Sequence, residues 1–143
     1  MLIAIFGESC TGKTTLANQI GARLQLQGKI YSGKDYLRLA KSESEAMQLF
    51  QKQLKDAIDG EHIIYIIAEP EHLSLLPDGA VRILVTADLE VIKERFATRM
   101  HGNLPAPVAA MLEKKHGCFD RVPHDFHVHN GSPDAEEICR KAL

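Results

Sequence analysis

The chain opens with the apolar run Met1–Phe6, which stops at Gly7. A run this short and this uniformly apolar predicts a strand buried on both faces. From Lys13 the period changes. Leu16, Ile20 and Leu24 recur at helical spacing, and the pattern ends near Gly28. Lys29–Ser32 reads as a short second strand. Across Ser42–Asp59, the positions Met47, Phe50, Leu54 and Ile58 predict a helix. Ser42 and Glu45 have capping-box spacing at its start, and Gly60 ends it. His62–Ala68 is a third buried strand and Val81–Val85 a fourth. A helix from about Ala87 to His101 turns Leu89, Ile92 and Phe96 inward. Gly102–Pro107 breaks the pattern, and Val108–Lys115 predicts another short helix. Phe126–His129 is a fifth strand. Ser132 and Pro133 read as the cap and first position of a last helix running to the chain end.

Strands alternating with helices predict an α/β fold, a three-layer α/β/α sandwich around a five-stranded, mostly parallel sheet. No linker interrupts the alternation, so residues 1–143 read as a single domain. Ligands of such sheets bind beyond the carboxyl ends of the strands. The chemistry is therefore expected at the ends of the first three strands.

One stretch at those ends carries a specific signal. Gly7-Glu8-Ser9-Cys10-Thr11-Gly12-Lys13-Thr14 fits G-x-x-x-x-G-K-[ST] in full, between a buried strand and an amphipathic helix. Gly7 and Gly12 let the backbone curl so that the N–H groups of Ser9, Cys10 and Thr11 point at phosphate oxygens. The helix that begins near Lys13 adds its positive end. The Lys13 ammonium reaches the outer phosphates, the Thr14 hydroxyl is a Mg²⁺ ligand, and Thr15 lies near the innermost phosphate. ATP with Mg²⁺ is the expected ligand.

Composition narrows the partners. The formal net charge is −2 and the sequence pI is about 6.4, so no electrostatic reason points to nucleic acid or an anionic membrane. Three cysteines, Cys10, Cys118 and Cys139, lie far apart without CxxC spacing. This suits a reducing, cytoplasmic setting. Met1–Phe6 is too short for a signal-peptide core, and no stretch approaches a membrane span.

On the cradle and this order of elements, the chain resembles the P-loop kinases, in particular the nucleoside monophosphate kinase-like group. The resemblance covers most of the chain and implies that group's sheet. It also implies an acceptor-side segment at about 33–60 and a lid-like segment at about 95–122. Gly33-Lys34-Asp35-Tyr36-Leu37-Arg38 is similar to the group's G-D-x-L-R stretch. That implies Asp35 for an acceptor hydroxyl and Arg38 for an acceptor phosphate. The third strand ends in Glu69 where Asp is more common in the group. By resemblance to deoxynucleoside-type kinases, Glu69 orients the metal water or takes the acceptor proton. Arg95 and Arg99, one turn apart, match the lid arginines that stabilise the transferring phosphoryl group, and Arg121 follows them. The loop Asn130–Pro133 corresponds to the one that flanks adenine. The implied activity is ATP-dependent transfer of the γ-phosphoryl group to a nucleotide, nucleoside or other small hydroxylated acceptor. Lys13, Glu69, Arg95 and Arg99 are its catalytic set.

The alternative is a nucleotide-binding switch with slow or no ATP hydrolysis, favoured by the missing Asp and the short chain. A nucleic-acid end kinase needs a basic channel that the net charge does not suggest. His124, His127 and His129, near His116 and Cys118, invite a metal reading. Alternation along one strand explains His127 and His129 equally well, and no spacing closes a tetrahedron of about four ligands. Cys10 is expected to contribute its backbone, with a thiol open to oxidation. Cys139 is expected to be a packed residue.

Overall fold

The computed structural model describes residues 1–25 and 29–142. Five strands, β1 (Leu2–Phe6), β2 (Ile30–Ser32), β3 (Ile63–Ile67), β4 (Val81–Thr86) and β5 (Phe126–His129), form one sheet in the order β2-β3-β1-β4-β5. Every neighbouring pair is parallel. The helices are α1 (Lys13–Leu24), α2 (Glu43–Ala57), α3 (Leu89–Arg99), α4 (Ala106–Lys115) and α5 (Ala135–Ala142).

Alternation along the central strands builds two cores. Leu2, Ala4 and Phe6 of β1, with Ile63, Tyr65 and Ile67 of β3, pack on Phe50 and Leu54 of α2. Ile3, Ile5, Ile64 and Ile66 face the other way, onto Leu16 and Ile20 of α1 and Ile138 of α5. This is the sandwich that the apolar runs predict, because strands buried on both faces have no polar side to alternate. A smaller cluster of Cys10, Ala87, Ile92 and Leu112 lies beneath α3 and α4. The Lys93–Glu113 ion pair, 2.5 Å, ties those two helices together.

Several expected boundaries shift. The helix end expected near Gly28 lies outside the described residues; α1 ends at Leu24, with Gln25 in the left-handed region. Ser42 caps α2 as its spacing predicts, its hydroxyl accepting from the Glu45 N–H at 3.1 Å. Short 3-10 turns at Asp35–Leu39 and Pro70–Leu75 follow β2 and β3 where no regular element was expected. Ser132–Pro133 does not start the last helix. The backbones of Ser132 and His129 bond to each other at 2.9 and 3.1 Å, which closes the turn after β5. The carboxylate of Asp134 then accepts from the Glu137 N–H at 3.0 Å and caps α5. No helix among the described residues is long and apolar enough to cross a membrane.

Candidate active site

The loop from Gly7 to Gly12 joins β1 to α1 at the carboxyl edge of the sheet. Gly7 is required by space: a Cβ there would stand 2.1 Å from the Val85 carbonyl oxygen. Gly12 is required by conformation, at φ 102°. Cys10 shares the left-handed region at φ 62°. Its side chain is buried with Ala87, Ile92 and Leu112, so the thiol serves as packing and the carbonyl faces the arginine of α3. The Gly7 N–H donates to the Ile67 carbonyl at 3.1 Å, which fastens the loop to the end of β3. Thr11 Oγ1 donates to the Glu8 carbonyl at 2.9 Å, and Lys13 Nζ donates to the same oxygen.

Lys13 is buried, and that burial pulls its ammonium down to about 8, with Arg99 adding to the fall and Cys10 and Glu8 opposing it. Ser9, Cys10, Gly12, Lys13, Thr14 and Thr15 line a cavity of about 200 Å³, and Arg99 of α3 lines it too. Ser32, at the end of β2, joins them, held in place because the Gly33 N–H donates to the Ile66 carbonyl and Tyr65 Oη donates to the Gly33 carbonyl. Arg95 Nη1 donates to the Cys10 carbonyl at 3.1 Å. Arg95 and Arg99 also border a second cavity of about 330 Å³, which runs from Thr15 past Val85 and Val128 to Gly131 and Asp134.

The fold thus brings the cradle residues, Arg95 and Arg99 to one place. It places Glu69 beside the cradle, lining a third cavity of about 200 Å³, its Oε1 3.5 Å from Lys115 Nζ. It does not bring Asp35 and Arg38 into any of these cavities. Asp35 Oδ2 accepts from the Ser32 N–H at 2.9 Å, and Arg38, 78% exposed, lies 3.7 Å from the same oxygen. Arg121 is exposed as well.

The sequence reading missed Glu8. It is buried inside the cradle segment, and its Oε1 accepts from His116 Nδ1 of the residue after α4, at 3.0 Å. A carboxylate within a phosphate-binding loop is electrostatically odd, and that oddness was the available signal. His127 and His129 both contact Thr86 Oγ1, at 2.7 and 2.8 Å. His129 continues to Asp88, which also accepts from Asn130 Nδ2. Burial lowers the His127 pKa, and the neighbouring His124 and His129 lower it further. No group of three or more His, Cys, Asp or Glu converges on a metal position among the described residues.

The strand order, with the cradle at the end of a central parallel strand and arginines from α3 reaching over it, decides the class of fold. The chain has the P-loop kinase fold. Comparisons with known proteins agree on this fold. A shikimate kinase from Pelotomaculum thermopropionicum is 22% identical, over 99% of this chain and 92% of its own. Among solved structures, a sugar kinase from Janibacter has a TM-score of 0.63 at 18% identity, covering 99% of this chain and 91% of that one. Shikimate kinase from Acinetobacter baumannii, solved with shikimate, has a TM-score of 0.61 at 12% identity, covering 99% and 90%. No protein-family model matches the chain. The three proteins named here are all kinases.

Proposed function

We propose that the chain is an ATP-dependent kinase that transfers the γ-phosphoryl group to a hydroxyl of a small molecule. The observation that carries this reading is the meeting of three cations at one loop: Lys13 and Arg99 line the cradle cavity, and Arg95 donates to the Cys10 carbonyl of the loop itself. A bare nucleotide switch has no need of two lid arginines around that loop, whereas phosphoryl transfer does.

The cradle amides and Lys13 hold the β- and γ-phosphates. Arg95 and Arg99 offset charge that spreads over the transferring group. The second cavity, bounded by Val85, Val128 and Gly131, suits a nucleobase and ribose. The Thr14 and Ser32 hydroxyls line the cradle together, a donor set of oxygens that fits Mg²⁺ with several waters. When bound, the ion supplies charge neutralisation between the phosphates. Glu69, beside the cradle and half-exposed, takes the acceptor proton. The acceptor oxygen bonds to the γ-phosphorus, the bond to the bridging β–γ oxygen breaks, and ADP leaves. The hydroxyl proton passes to Glu69 and then to water. The relatives named as shikimate and sugar kinases support a hydroxyl acceptor.

The test is ADP release from Mg-ATP across a panel of sugars, cyclitols, hydroxy acids, nucleosides and nucleoside monophosphates. Acceptor-dependent release is expected. Slow release that no acceptor accelerates would replace this reading with the nucleotide switch.

A further inference from the structure

The third cavity, about 200 Å³, lies between the start of the cradle, the end of β3 and α4. Ser9 and Ala68 line both it and the cradle cavity, so the two adjoin. A molecule in the third cavity would rest beside phosphates held in the first.

Its chemistry is uneven. Glu8 is only 8% exposed, and one carboxylate oxygen accepts from His116. The other oxygen has no protein donor among the described residues. That oxygen is open to water at the cavity wall, and a ligand hydroxyl can take the water's place. Glu69 adds a second carboxylate to the wall. The cation lining the cavity, Lys115, is drawn toward Glu69 at 3.5 Å. Two carboxylates and one engaged lysine disfavour a phosphate- or carboxylate-bearing ligand. They favour hydroxyl groups, which donate. Met111, Leu112 and Pro70 supply an apolar wall for the C–H face of a ring.

We infer that this cavity binds the phosphoryl acceptor, and that the acceptor is an uncharged polyhydroxylated molecule of the sugar, cyclitol or nucleoside kind, gripped by Glu8 and Glu69. The inference rests on the kinase reading above and deepens it. His116 is a positioning residue: its Nδ1–H holds one oxygen of Glu8, which lines the cavity. The transfer is the one already written, with ATP as donor, the acceptor hydroxyl as nucleophile and Glu69 as the proton's first stop.

The experiment compares kcat/KM of the full chain for uncharged polyols and nucleosides, for hydroxy acids such as shikimate and gluconate, and for nucleoside monophosphates. Uncharged acceptors are expected to lead by tenfold or more. Glu8→Gln should raise the acceptor KM at least tenfold. Met111→Trp, at a site 41% exposed and therefore tolerant in folding, should do the same by filling the cavity. Higher kcat/KM for hydroxy acids or nucleoside monophosphates overturns the inference while leaving the kinase reading in place. So does an unchanged acceptor KM in both variants, each shown by its melting curve to be folded. A protein that binds Mg-ATP yet shows no acceptor-dependent turnover with any class overturns the kinase reading, and this inference falls with it.

Discussion

Lys13→Met keeps the hydrocarbon stem of the side chain and removes its charge, which separates what Lys13 does for the fold from what it does for the ligand. The side chain is 7% exposed. Burial is the main reason its ammonium falls from 10.5 to about 8. At about 1.4 kcal/mol per pH unit, that makes the charged form about 3 kcal/mol more costly in the folded chain than in the unfolded one. The hydrogen bond to the Glu8 carbonyl, worth about 1 kcal/mol net, offsets part of this and is lost in the variant. Lys13→Met is therefore expected to be more stable by about 2 kcal/mol at pH 7, or about 6 °C in a chain of this size. The sign with pH follows from linkage. The folded pKa lies below the unfolded one, so between about 8 and 10.5 the unfolded chain binds the extra proton. Wild-type stability from this group rises across that window, and the advantage of the variant shrinks. Paired thermal melts at pH 7 and pH 9.5 read both effects, and calorimetric titration with Mg-ATP should show binding weakened a hundredfold or more. A variant that melts below the wild type at pH 7, or a gap that does not narrow at pH 9.5, refutes the reasoning.

Phosphate favours the ammonium form of Lys13, so the proton lost near pH 8 in the free protein must be regained on binding. The Kd for Mg-ATP should rise about tenfold per pH unit above 8; a profile flat to pH 9.5, by titration calorimetry, contradicts this. Arg95→Ala should lower kcat about a hundredfold, with a smaller effect on the KM for ATP, in steady-state assays. Glu69→Gln should lower kcat by about the same factor in the same assays. Gly7→Ala sets a methyl group 2.1 Å from the Val85 carbonyl and should cost at least about 2 kcal/mol in a denaturant titration.

The sheet was legible because strands buried on both faces leave an unbroken apolar signature, as in Met1–Phe6 and His62–Ala68. The cradle was legible because backbone geometry and phosphate charge restrict residue types at fixed spacing, and Ser42 was legible for the same kind of reason. What escaped depends on contacts between distant parts of the chain. Glu8 occupies a position that the motif leaves open, and its partner His116 lies 108 residues away. Arg38 had the right neighbours in sequence, but the 3-10 turn that carries it leaves it 78% exposed beside Asp35. Ser132-Pro133 has the composition of a helix start, yet tertiary pairing with His129 claims Ser132 first, and Asp134 takes the cap.

The two cations nearest the loop share an arrangement that bears on how the site works. Lys13 donates to the Glu8 carbonyl and Arg95 to the Cys10 carbonyl, so each is satisfied by the cradle's own backbone. A phosphate oxygen carries far more charge than a carbonyl, and a charge-assisted bond is about twice as strong as a neutral one. Polyphosphate therefore competes for both donors at small cost, because they already sit at the loop. The Arg95 bond also links α3 to the cradle, and the Lys93–Glu113 pair carries that link on to α4. At the far end of α4, His116 holds Glu8 and Lys115 faces Glu69. Drawing Arg95 from the Cys10 carbonyl onto phosphate would thus be felt along α3 and α4 by the side chains that line the third cavity. With nucleotide and acceptor in the cavities proposed for them, this run of contacts predicts that Mg-ATP tightens acceptor binding and that the acceptor tightens Mg-ATP by the same factor. No tightening in either direction, in paired calorimetric titrations with a non-hydrolysable ATP analogue, would show that α3 and α4 carry no such coupling.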